Sequence, residues 1–472
     1  MIDGLKPYPE LKESGIPWAG RVPTHWGARR GKRLFEEAAQ PVREGDEIVT
    51  CFRDGQVTLR RNRRASGYMV ALQEVGYQGV RRGQLVIHAM DAFAGAVGVS
   101  DSDGKCTPEY IVCRPREPGL SPAYYAAALR IAAHTNFIQI SCDAVRERAP
   151  RLRYPNFGEM VLPVPPPDEQ ALIVRFLDHA DRRIRRLIAA KQRMIKLLEE
   201  QKRSVVDGIV RGAGQRGRRN SGIDWLGDIP GAWRVARLKT VVGSITSGSR
   251  GWSDFAADDG PLFVRIANLT RASLGLRFDD IVRLDLPPST RAEAQRARLR
   301  ADDILLSITA FIGSVAVVPD DLGEAYISQH VACCRPRAGA VVPRWAGYVL
   351  LSSIGQTHGQ LAMNGGTKQG LSLDDVGNYV LVLPPIAEQR ALVATIERQT
   401  SDLERAIARE ADHIPLLREY RTRLISDVVT GTLDVRAAAA ALADDAEPVE
   451  PLDDAESDDA EDGDEPADEV AE

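Results

Sequence analysis

Chemistry-bearing motifs are scarce in this chain. Its seven histidines are scattered over 472 residues, and its six cysteines, at 51, 106, 113, 142, 333 and 334, form no CxxC pair. There is no P-loop, no NPPY-type aminomethyltransferase motif and no Asp followed by a Glu-x-Lys core that would mark a nuclease centre. No apolar run reaches the length of a membrane span. The opening MIDGLKPYPELKESG lacks the apolar core of a secretory signal. These absences argue against a membrane protein, a disulfide-built secreted domain and the common nucleotide-hydrolysing enzymes. The expectation is a cytoplasmic chain with reduced thiols, no catalytic residues and no metal site. The vicinal Cys333-Cys334 lies in the strand-like YISQHVACCRP, where small buried hydrophobes are the simpler reading.

Two further patterns look chemical and are better read as structural. FAGAVG (93–98) resembles an S-adenosylmethionine loop, but its third glycine is misplaced and its echo FIGSVA (311–316) has lost another. A turn inside a repeated sheet explains both. Glu169 and Glu388, which open long helical stretches, put carboxylates on helix N-termini, a capping role that requires no catalysis. His179 and His413 fall on the same stretches and read as packing or surface residues.

Charge is unevenly distributed. Residues 437–472 hold 16 Asp and Glu and no Lys or Arg, so setting them aside turns a formal charge of −5 into +11 on residues 1–436. The body is basic, and the Ala/Asp/Glu/Pro tail has the composition of a disordered, solubilising segment; competition with non-specific DNA is its sharper reading.

The chain is also one unit written twice. SGIPWAGRVPTHW (14–26) returns as SGIDWLGDIPGAW (221–233), and 165–212 aligns without a gap on 384–431 with 14 identities, Glu169/Glu388, Gln170/Gln389 and Gly212/Gly431 among them. DAFAGAVGV against TAFIGSVAV, and CRPR at 113–116 and 334–337, are weaker echoes. Short β-rich runs broken by Gly, Pro and Asp, with helical stretches between them, point to mixed α/β globes without βαβ alternation. The expected order is a globe over 1–164, a helix over 165–212, a linker over 213–220, a second globe over 221–383, a second helix over 384–436 and the tail over 437–472. The linker stretch RGAGQRGRRN (211–220) reads as a solvated hinge.

A heptad seam runs through each helix: Ile173, Leu177, Ile184, Leu187, Lys191 and Leu198 in the first, and Leu392, Ile396, Leu403, Glu410, Leu417 and Leu424 in the second. Neither seam is stable in water alone, so the two helices are expected to pair antiparallel, with Lys191 meeting its counterpart Glu410. At 1.5 Å per residue such a helix is about 65 Å long. Pro415 is expected to kink the second. The first helix carries 11 basic and 7 acidic residues over 168–212, but its twin carries 7 and 8 over 387–431. A shared DNA-binding role would make both basic; a shared seam makes both spacers.

Candidate nucleic-acid contacts lie outside the helices. Arg60, Arg61, Arg63 and Arg64 sit in LRRNRRASGY, Arg81 and Arg82 in VRRG, and Arg148 and Arg151 in RERAPRLRY. The second half offers Arg250 and Trp252 in ITSGSRGWSDF, then Arg265, Asn268 and Arg271, then Thr367, Lys368 and Gln369 in GGTKQG. Arginines interleaved with amides and an aromatic suit phosphate anchoring and base-edge reading. Each residue taken singly is equally an ordinary solvated surface residue.

The motifs together resemble the specificity subunit of type I restriction–modification systems. YPELKESGIPWAG, SGIDWLGDIPGAWRVARLK, ILLSITAFIGSVAVVP, GGTKQGLSLDDVGNYVLVLPPIAEQ and the paired PPxxEQ helices carry the likeness, over nearly all of residues 1–436. The resemblance implies two target recognition domains joined by two long antiparallel coiled-coil-like helices in a pseudo-twofold internal repeat. Each domain would read half of a bipartite, asymmetric double-stranded DNA target. The helices would dock two methyltransferase subunits and, through them, the endonuclease/translocase subunits of a phage-defence complex. S-adenosylmethionine, ATP and magnesium would then belong to the partners, none being bound by this chain. A spacer of about 65 Å spans up to about two DNA turns at ~34 Å each. A helical scaffold without a DNA role and a stand-alone DNA-modifying enzyme remain the alternatives; the basic body and the missing motifs weigh against them.

Overall fold

The structure, a computed structural model, describes residues 5–63, 76–141, 151–363 and 370–442. Contacts divide the chain into two units, Met1–Ala190 with His413–Glu472, and Lys191–Asp412. The dividing points fall in mid-helix, so each unit owns one end of each long helix.

In the first unit the core sheet comprises Phe35–Glu37 (β1), Leu85–His88 (β2), Val97–Val99 (β3) and Tyr110–Pro115 (β4), in the order β3-β2-β4-β1 with every pair antiparallel. Helix Pro122–His134 (α1) follows, started by Pro122 and by Ser121 Oγ accepting from Tyr124 N. It buries Tyr124, Tyr125, Leu129 and Ile131. Val161–Val164 pairs with Gly27–Arg30 and leads into the long helix Pro167–Val210 (α2).

The second unit repeats this plan. Val242–Ser247 (β5), Ile304–Ser307 (β6), Val315–Val317 (β7) and Val331–Pro336 (β8) form a sheet in the equivalent order β7-β6-β8-β5. Helix Pro343–Leu351 (α3) takes the place of α1, Val380–Leu383 pairs with Arg234–Arg237, and the second long helix is Ile386–Val429 (α4). Its additional residues include strand Ala256–Val264, paired antiparallel with Arg283–Leu284 and parallel with Ala325–Ile327. The fold is mixed α/β with two long helices of 44 residues each.

The repeated Glu-Gln step is a clasp. Gln170 is fully buried; its Oε1 accepts the Ser121 N–H at 2.9 Å and its Nε2 donates to the Pro165 carbonyl at 2.9 Å. Gln389 does the same with Val342 N–H and the Pro384 carbonyl, each at 2.8 Å. In each unit one amide therefore ties the start of the long helix to the start of the shorter helix that covers the sheet. Two backbone groups that burial would leave unpaired are satisfied. Glu169 and Glu388 are held by the repeated aromatic segment instead: Tyr8 donates to Glu169, with His25 Nε2 at 2.9 Å, and Trp233 Nε1 donates to Glu388 at 3.0 Å.

The Trp/Gly/Pro echo has a different partner from its sequence neighbours. Gly212 ends the first helical stretch at φ +67°, and a Cβ there would lie 2.3 Å from Pro230 and 3.3 Å from Trp233. Gly431 repeats this at φ +74°, 2.3 Å from Pro23 and 3.0 Å from Trp26. Only glycine fits such a left-handed exit under a tryptophan. The N-terminal motif is therefore seated on the end of α4, and Lys6–Pro7 pairs with Leu433–Asp434 beside it. The two units are circular permutations of one plan: the second is continuous in sequence, the first is closed by the two ends of the chain. The 213–220 segment is exposed along its length, and its last residues are paired. Arg218–Asn220 pairs as a strand with Asp228–Pro230, and Arg219 Nη2 donates to the Trp233 carbonyl at 2.8 Å.

The long helices pair antiparallel within each unit. In the second, Lys191 Nζ lies 2.6 Å from Glu410 Oε2 and Lys202 Nζ 2.5 Å from Glu404 Oε1, so partner numbers fall as helix numbers rise. In the first, Arg421 of α4 pairs with Asp181 of α2. The seam follows the expected heptads only in part. Ile173, Ile184, Ile396 and Leu424 are buried, and Leu177, Leu198, Leu392, Leu403 and Leu417 are half-buried. Leu187 is 46% exposed, which corrects its assignment; Ile188 is buried in its place, and Ile195, Lys202 and Val206 continue the line. An α-helix turns every 3.6 residues, so a strict 3.5-residue seam drifts off the contact face of a long helix. Helix α4 runs through Pro415 without a break in its assignment, and the proline is exposed.

Candidate nucleic-acid interface

The arginines nominated in the first unit sit in three different environments. Arg60, Arg61 and Asn62 form a single 3-10 turn after strand Val57–Leu59. Arg60 Nε donates to Thr50 Oγ1 at 3.2 Å, and Arg61, 65% exposed, lies 2.5 Å from Glu47. Arg63 is held more tightly, 2.7 Å from Asp54 with its guanidinium 4.3 Å over the Phe52 ring. Arg82 is exposed, its backbone N–H donating to Asp103, and Arg151 lies 3.1 Å from Glu109. Arg64 and Arg148 lie outside the described residues, as do Thr367, Lys368 and Gln369 in the second unit.

Arg81 is a correction. Its side chain is 12% exposed, and its guanidinium spans Asp46 at 3.0 Å and the carbonyls of Val80, Gly104 and Pro41 at 2.8, 3.0 and 3.3 Å. That fork is consumed in joining strands and loops, and no phosphate replaces four internal oxygens without unfolding them.

Two corrections come from the second unit. Trp252 is 2% exposed and meets Tyr326 edge-on at 5.8 Å in the core beneath the three-stranded sheet. Its ring offers no face to a base. Asn268 is 5% exposed; its Oδ1 accepts the Arg265 N–H and its Nδ2 donates to the carbonyls of Arg277 and Asp280 at 2.9 and 3.0 Å. The amide knots its own loop. Arg265 is partly exposed and lies 2.6 Å from Asp280, while Arg250 is exposed. Exposed arginine–carboxylate pairs such as Arg61–Glu47 are worth only about 0.2–1 kcal/mol, so exchange of the carboxylate for a phosphate costs little.

Among the described residues no group of three or more His, Cys, Asp or Glu is placed to hold a metal ion. Cys333 and Cys334 are buried in β8, and burial pushes the Cys334 thiol up to about 12, opposite to the thiolate a metal requires. In FAGAVG, Gly95 takes a left-handed turn, and Gly98 lies where a Cβ would be 2.0 Å from the Gly55 carbonyl. Its glycines serve sheet packing. No described helix is long and apolar enough to cross a membrane.

One surface feature escaped the sequence reading. In the second unit a cleft of about 590 Å³ is lined by Arg271, Thr309, Phe311, Gln356, Gln360 and Met363, among others. Phe311 is 73% exposed. Its signal was present in TAFIGSVAV, but an aromatic beside a glycine turn reads equally as core.

No family model matches the chain. The specificity subunit of the type I restriction enzyme EcoBI from Escherichia coli is 30% identical over 104 residues, covering 22% of each chain. A chain from a solved structure concerned with complex assembly and conformational transition of the type I restriction–modification system superimposes with a TM-score of 0.60 at 17% identity. That match covers 86% of this chain and 98% of the other. The chain is similar to type I restriction–modification specificity subunits. The HsdS subunit from Thermoanaerobacter tengcongensis gives a TM-score of 0.42 at 18% identity, over 87% of this chain and 98% of its own. The curated relative is matched over about a fifth of its length, whereas the fold likeness extends over most of the chain.

Proposed function

We propose that this chain is the DNA-reading specificity subunit of a type I restriction–modification complex and is itself non-catalytic. Each globe reads one half of a bipartite, asymmetric double-stranded target. The paired helices serve as the spacer and dock two methyltransferase subunits, which in turn recruit the endonuclease/translocase subunits. S-adenosylmethionine, ATP and magnesium are bound by those partners. The observation that carries this reading is the permuted repeat. Two units share one sheet order, one glutamine clasp and one glycine–tryptophan seat, yet differ in their loops, as two readers of unlike half-sites would. The exposed arginines of both units, Arg61, Arg82, Arg151 and Arg250, supply the phosphate contacts that such a reader requires.

The test is methylome sequencing of the host with and without the gene. Loss of one bipartite adenine-methylation motif is the expected result; an unchanged methylome refutes the proposal.

A further inference from the structure

We infer that Phe311 is a base-stacking residue, its ring lying against a nucleobase unstacked from its neighbour in the bound duplex, at the mouth of the cleft it shares with Arg271, Gln356 and Gln360. The inference rests on the DNA-reading function proposed above and adds a residue and a contact chemistry to it.

The backbone is the first reason. Phe311 has φ +49°, a left-handed conformation that bulky residues rarely adopt. Such strain persists only where the surroundings impose it. Here they do: the Phe311 carbonyl accepts from Ser307 Oγ at 2.6 Å, from Ser314 N at 3.1 Å and from Ser314 Oγ at 3.0 Å. Gly313, at φ +94°, is braced by Gln356 Nε2 donating to its carbonyl at 2.8 Å. The result is a rigid turn that holds an aromatic ring 73% exposed.

Nor does the repeated sequence require this. The corresponding segment of the first unit, DAFAGAVGV, forms a 3-10 turn over Ala92–Ala94 without a left-handed phenylalanine, and Phe93 is partly buried against the core. Phe311 forgoes the core packing that its counterpart makes.

The lining then selects the ligand. Arg271 is exposed and spends one N–H on the Ile312 carbonyl at 2.5 Å, leaving the rest of a five-donor fork. Gln360 is exposed and lines the same cleft, and among the described residues no carboxylate lines it. An aromatic face, amides and a cation without an acid suit a base with its phosphate, and repel neither.

The experiment measures binding of the intact protein to a duplex carrying the methylation motif, across a salt series. F311A is expected to weaken binding about ten-fold with an unchanged salt slope, because stacking releases no counterions. F311W and F311Y keep the affinity, and F311L loses it as F311A does. R271A instead makes the slope shallower by about one. Wild-type affinity in F311A overturns the inference while leaving the DNA-reading function intact. Rescue by F311L also overturns it, since an apolar contact such as a partner protein's side chain would then suffice. Failure of the wild-type protein to bind the duplex overturns both.

Discussion

Charge reversal at Lys191 tests the pairing of the long helices most directly. Lys191 Nζ lies 2.6 Å from Glu410 Oε2, both side chains are 18% exposed, and Arg409 Nε is 3.6 Å from the other carboxylate oxygen. Exposed pairs contribute about 0.2–1 kcal/mol, whereas removing one partner of a buried pair costs about 3–5 kcal/mol. With about four-fifths of each side chain covered, K191M falls between, at about 1–3 kcal/mol. K191E adds repulsion between two carboxylates and is expected to cost about 2–4 kcal/mol. In a domain of 150–250 residues each kcal/mol moves Tm by about 2–4 °C, so a fall of about 5–15 °C is readable by calorimetry or circular dichroism. E410K should behave alike, and the swap K191E/E410K should recover all but about 1 kcal/mol. A swap whose loss equals the sum of the single losses within about 0.5 kcal/mol refutes the contact. K191L/E410L is expected to be neutral or more stable, because desolvating two charges offsets most of their attraction. The pair sets register more than it adds stability.

Three further outcomes follow from the same structure. G431A places a Cβ 2.3 Å from Pro23 at φ +74° and should cost about 2–4 kcal/mol in urea unfolding; an unperturbed midpoint contradicts the seating of the N-terminal motif on the end of α4. P415A restores a donor in the middle of α4 at an exposed position, where proline costs up to about 3 kcal/mol, so Tm should rise; a fall would show that the proline is needed. His358 packs on Tyr379 at 4.7 Å and Trp225 at 6.0 Å, and its imidazole is held below the usual range by burial first and by Arg237, against an opposing pull from Asp375. The unfolded chain then binds more protons below about pH 6.5, so the stability His358 confers is complete above that value and is lost as pH falls through the lower folded value. H358F should flatten the fall in Tm between neutral and mildly acidic pH; an unchanged slope assigns that fall elsewhere.

Part of the helix seam was legible and part was not, for a geometric reason. Heptad counting chose buried positions at Ile173, Ile184, Ile396 and Leu424, because a 3.5-residue and a 3.6-residue stripe coincide near any starting point. It failed at Leu187, where the stripes have separated. The repeat held a better signal: Ile188/Ile407 and Ile195/Ile414 are identical in both copies and buried or half-buried in each. For the arginines no such signal existed. Arg81 and Arg82 are neighbours in one motif, yet one is enclosed by four oxygens and the other is exposed.

By itself the sequence determined that one plan is written twice, that two long helices carry matching seams with Lys191 and Glu410 at equivalent positions, and that catalytic motifs are missing. These are properties of spacing and identity along the chain. Only the tertiary structure decided that the first unit closes through the chain's two ends, with Trp26 on Gly431. It also decided that Trp252 turns inward onto Tyr326 while Phe311 turns outward on a strained turn. For Trp26, Trp252 and Arg81 the deciding partners lie dozens to hundreds of positions away, so local sequence does not encode them: an arginine or an aromatic ring becomes core only when a distant segment supplies the oxygen, or the neighbouring ring, that claims it.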